Sequence, residues 1–76
     1  MSHTTSTTDA TPTDVLATVA TLRKRARAIP QEARGAHFQI ARRRIADAAM
    51  FATSNTAHAA MCCWEARHHL NECGAD

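Results

Sequence analysis

A chain of 76 residues with a formal charge of +2 has room for one domain at most, and a domain of that size buries only about 60% of its unfolded surface. Large apolar side chains are few (one Trp, two Phe, three Leu, no Tyr) against seventeen Ala, so burial energy per residue is low and a partner chain is expected. No apolar run approaches the ~18 residues of a membrane span, the N-terminus lacks the pattern of a signal peptide, and three cysteines supply no paired disulfide framework; together these predict a cytoplasmic protein without membrane contact.

Residues 1–12, Thr-rich and nearly free of apolar side chains, are expected to be a disordered tail. Residues 13–76 are expected to form a single helical domain. Thr13 or Asp14 is a suitable N-cap. Val15, Val19, Leu22, Ala26 and Ile29 then recur at alternating steps of four and three, which predicts an amphipathic helix from about Asp14 to Ala28.

Pro30 disfavours the helical conformation at Ile29 and suits the first position of a new helix, with Glu32 in its first turn complementing the helix dipole. The short connection predicts a helical hairpin. No Gly or Pro follows between Ala36 and Cys73. Across that stretch Ile45, Ala49, Ala52, Thr56, Ala59, Cys63, Ala66 and Leu70 keep a heptad-like seam, with Phe38 on the same line. Thr53, Ser54, Asn55 and Thr56 compete with a helix for backbone hydrogen bonds and offer a loop before a third helix. Because the seam holds its phase across them, one long second helix is the favoured expectation. The first helix is too short to cover it, so Ala49, Ala52, Thr56, Ala59, Cys63, Ala66 and Leu70 are the expected interface with a second copy. The expected fold is therefore all-α: a helical hairpin with a long second helix in a homodimeric bundle, the alternative being a monomeric three-helix bundle.

Eight of the nine basic residues lie within residues 23–44, where Glu32 is the single acid, so that segment carries +7. A hairpin bend at Pro30 brings the two basic runs toward one end. Arg23, Lys24, Arg27, Arg34, Arg43 and Arg44 are the candidate nucleic-acid-binding residues, able to neutralise phosphates with salt-dependent affinity. An acidic protein partner would use the same cations, and a solvated helix face would carry them without any partner. Neither aromatic interleaving nor helix-turn-helix spacing is present, so sequence-specific readout is not expected.

The C-terminal half concentrates His and Cys. His58, Cys62, His69 and Cys73 share one helical face at spacings of four, seven and four, and an i, i+4 pair of such ligands can chelate a metal. The two pairs are too far apart to share one ion, so each would be a half-site completed by another chain; packing and surface roles are the expected ones, and no cofactor is expected. Met61, Trp64 and His68 form a separate short stripe, a candidate partner-binding hot spot. The acids are scattered, no Gly-rich phosphate loop occurs, and the Cys/His pairs lack an orienting third group, so catalysis is not expected.

Overall fold

The computed structural model describes residues 10–74. Three α-helices and one short 3-10 turn make up this region: α1 (Pro12–Arg27), the turn Gln31–Ala33, α2 (Ala36–Phe51) and α3 (Thr56–Gly74), with no strand among the described residues. The described region is thus all-α.

The start of α1 lies two to three residues earlier than the expected cap at Thr13 or Asp14: Thr11 is the N-cap. Pro12 occupies the first helical turn, and the Thr11 hydroxyl accepts a hydrogen bond from the Asp14 amide at 3.1 Å. A proline there loses no helical hydrogen bond, because that amide has no partner in any helix. Thr11 and Pro12 therefore belong to the helical unit and not to the tail, while residues 1–9 lie outside the described residues. The helix ends with Arg27 and caps at Ala28. Pro30 does not open α2 directly. It precedes the 3-10 turn, and Gly35, in a non-helical conformation, separates that turn from Ala36.

The long second helix is corrected. α2 stops at Phe51, and Asn55 begins α3: its side-chain Oδ1 accepts from the His58 amide at 3.2 Å, and its carbonyl accepts from Ala59. The Thr56 hydroxyl donates to the Ala52 carbonyl at 2.8 Å. These local side-chain bonds are the competition that such residues offer a helix backbone, and here they prevail. The phase of the seam survives because α2 and α3 turn their apolar stripes toward the same core.

α2 runs antiparallel to α3, as the contacts His37–His69 and Arg44–Glu65 require, and α1 packs against both. The core combines Val15, Val19, Leu22 and Ala26 from α1 with Phe38, Ala41, Ile45 and Ala48 from α2, Ala52 from the turn, and Ala59, Cys62, Cys63, Ala66, Leu70 and Cys73 from α3. Ala41, Ala48, Ala59 and Ala66 are wholly buried, so their small side chains set how closely α2 and α3 approach. Leu70 and Val19 are the largest fully buried side chains, each contributing roughly 1.5–3 kcal/mol by area.

The expected oligomer interface is accordingly used within one chain. Ala52, Ala59, Cys63, Ala66 and Leu70 are buried in the core, and Ala49 and Thr56 are half-buried. α1 and α2 cover the stripe that a second copy was expected to cover. No described helix is long and apolar enough to cross a membrane.

Candidate nucleic-acid interface

Three packed helices leave three surface grooves, and they differ in what fills them. The α2–α3 groove is bridged by polar contacts. Arg44 reaches Asp47 at 3.2 Å and Glu65 at 3.0 Å, and the Nδ1 atoms of His37 and His69 are 2.8 Å apart. The α1–α3 groove is crossed by a hydrogen bond from the Arg25 guanidinium to the Asn71 side-chain oxygen, and Arg67, Thr18 and Thr21 line a cavity there.

The α1–α2 groove is open. It encloses about 490 Å³ and is lined by Arg23, Arg27, Arg34 and Arg42, with Ala26, Phe38, Ile45 and Ala46. No acidic side chain lines it. Among the described residues Arg44 is the only cation in an ion pair, so the four groove arginines keep their charge uncompensated. Two stand on α1 one turn apart; Arg34 and Arg42 form the other wall.

Arg34 is held in place. Its Nε donates to the Ile29 carbonyl at 3.1 Å and an Nη to the Arg27 carbonyl at 3.5 Å, while its guanidinium carbon lies 4.9 Å from the Phe38 ring centre. The Arg42 guanidinium is 6.0 Å from the same ring. Phe38 is buried, so it forms the floor beneath two cations and offers no free stacking face. Carbonyl anchoring and the ring quadrupole fix a guanidinium before any ligand arrives, which lowers the entropy lost on binding.

The structure divides the six sequence-predicted cations. Arg23, Arg27 and Arg34 come together in the groove. Lys24 and Arg43 are exposed but stand opposite the buried stripes of α1 and α2, so they project from the backs of their helices. Arg44 lies outside the groove: it faces α3, where Asp47 and Glu65 hold it. Arg42, not among the six, lines the groove. Its position one turn after Phe38, on the flank that faces α1, is the signal that would have found it.

The His/Cys stripe also resolves differently. Cys62 and Cys73 are buried in the core and all three cysteines are free. His58 Nε2 lies 3.6 Å from Cys62 Sγ, but His69 pairs with His37 of α2 and not with Cys73. Among the described residues no group of three His, Cys, Asp or Glu side chains is placed to hold a metal. Burial raises the Cys62 thiol above its ordinary pKa, with Asp47 and Glu65 adding and Arg44 opposing; burial and the neighbouring Cys62 do the same to Cys63 against the pull of Arg67. Both shifts run opposite to the one that activates a thiol.

Met61, Trp64 and His68 lie together on the outer face of α3. Trp64 is 61% and Met61 56% exposed, and the indole stacks on the His68 ring at 5.9 Å between centroids with the planes 3° apart.

Fold and site define a class: among the described residues, a small three-helix protein whose α1–α2 groove is lined by four arginines outside any ion pair. No protein-family model matches the chain, and comparison with curated proteins and with solved structures finds no match.

Proposed function

We propose that this chain is a small non-catalytic binding protein whose α1–α2 groove contacts the phosphates of nucleic acid. The observation that carries the reading is the set of four arginines, Arg23, Arg27, Arg34 and Arg42, on two facing walls without an acid among the lining residues. Guanidinium groups are the side chains best suited to phosphate oxygens, since their planar donors match that geometry. Contacts of this kind position a polyanion and carry no base information, in keeping with the absence of a helix-turn-helix pattern.

The test is fluorescence anisotropy with labelled mixed-sequence oligonucleotides at low and moderate salt. Four neutralised phosphates on a single strand correspond to a slope of log affinity against log salt of roughly −3. Arg23→Glu with Arg27→Glu should abolish binding and leave helicity by circular dichroism unchanged. Absence of binding at low salt removes the proposal.

A second reading rests on Trp64. A tryptophan held exposed by stacking on His68, beside Met61, is the kind of side chain that anchors a protein partner. In that case Trp64→Ala would abolish partner capture, salt would have little effect, and the groove substitutions would be silent. An acidic partner seated in the groove would instead share the salt dependence while competing with oligonucleotides.

A further inference from the structure

Resting on the nucleic-acid reading, we infer that the α1–α2 groove takes one phosphodiester strand at a time, so that the protein prefers single-stranded nucleic acid to duplex. The size of the groove is the first reason. It is a depression of about 490 Å³ on the surface between two helices already in contact, floored by the buried Phe38. A short stretch of one strand fits it; a duplex meets only the rim.

The placement of the cations is the second reason. A duplex lying across the rim would need positive charge on the outer surface around the groove. The exposed cations nearest in sequence, Lys24 and Arg43, project from the backs of α1 and α2. The charge that remains faces inward: Arg23 and Arg27 on one wall, Arg34 and Arg42 on the other. A strand inside meets cations from both sides.

The third reason is the state of Arg34. Its edge is committed to the carbonyls of Ile29 and Arg27, its guanidinium carbon lies over the Phe38 ring, and the residue is exposed where it lines the groove. A flat, immobilised guanidinium is a stacking platform for a nucleobase, and only an unpaired base can reach it. Phe38 lies beneath and supports the platform without itself being available.

The experiment compares one sequence in three forms with the full chain at one low salt concentration: a fluorescent single-stranded DNA, the same sequence as single-stranded RNA, and the DNA duplex. The expected result is tighter binding of single strands than duplex by about tenfold, the scale of one base–side-chain stacking contact. The DNA and RNA arms decide which sugar is preferred; either preference agrees with the inference. Arg34→Lys keeps the charge and removes the planar face and the two-carbonyl anchor. It should erase most of the single-strand preference while duplex affinity changes less than about threefold. Arg34→Ala is run beside it with circular dichroism, so that unfolding is recognised as such. Equal or tighter duplex binding by the wild-type chain overturns this inference and leaves the nucleic-acid reading standing. Binding to none of the three forms removes both.

Discussion

The Nδ1 atoms of His37 and His69 face each other head-on, 2.8 Å apart, within hydrogen-bond distance. The ring centroids are 5.1 Å apart, and the difference between these distances is about the sum of two ring radii. The two lone pairs therefore point at each other and not at a third point where a metal could sit. One ring donates and the other accepts.

This arrangement couples the start of α2 to the end of α3. His37→Ala removes the contact from the α2 side, so hydrogen exchange should show less protection at residues 69–73 in that variant than in the wild-type chain. Equal protection in the two proteins would contradict the coupling.

Burial of the Cys62 and Cys63 thiols makes a second prediction, at the alkaline end. Their pKa values are raised in the folded chain, principally by desolvation. The stability they contribute is fully present below the unfolded thiol value of about 8.5 and is lost as pH rises through the folded values. With no Tyr and a single Lys, few other side chains titrate there. The denaturant midpoint should hold between about pH 7 and pH 8 and fall above about pH 9, and Cys62→Ala with Cys63→Ala should flatten that fall. Both thiols should react with a neutral-pH alkylating agent only on unfolding.

Arg44 separates charge count from charge placement. Arg44→Ala removes contacts to Asp47 and Glu65 at a partly exposed site, so a loss of about 0.5 kcal/mol in chemical denaturation is expected. Oligonucleotide affinity should change less than about twofold, whereas Arg42→Ala should weaken it by about tenfold. Equal effects of the two substitutions would mean that the groove does not define the interface.

The α2–α3 contact is set by small side chains. Ala66 has no exposed surface. Ala66→Leu should destabilise the fold by about 1–3 kcal/mol through overpacking, and Ala59→Glu by more, through an unpaired buried charge. Both are read from denaturant midpoints. If either substitution instead leaves the midpoint unchanged, the buried stripe faces something other than α2 of the same chain.

The turn at residues 52–55 can be tested by removing what makes it. Asn55→Ala deletes the side-chain acceptor for the His58 amide and should cost about 1 kcal/mol. Replacing Thr53, Ser54, Asn55 and Thr56 together by Ala supplies a strong helix former at every position. That variant should join α2 and α3 into one helix and exchange α3 between two copies, giving a dimer by light scattering. A variant that stays monomeric with unchanged helicity would show that packing alone enforces the turn.

Local features were legible in the chain before folding: where apolar residues recur at helical spacing, where Pro30 interrupts them, and where charge accumulates. Val15, Val19, Leu22 and Ala26 are buried as their spacing requires, and so are Ala59, Cys63, Ala66 and Leu70. Whether residues 53–56 continue a helix or reverse it was not decided by spacing, because a helix in any bundle carries the same stripe. The energies of a few caps and side-chain bonds chose the turn, and that choice turned an expected interface between copies into the interior of one chain. The same holds for the cations. Composition showed a basic segment between residues 23 and 44, but only the packing of α1 and α2 gathers Arg23, Arg27, Arg34 and Arg42 around one groove, turns Lys24 and Arg43 away, and gives Arg44 to Asp47 and Glu65. Charge is a property of residue types, whereas a binding surface depends on which helix flanks meet, and that is fixed by tertiary contacts far apart in the chain.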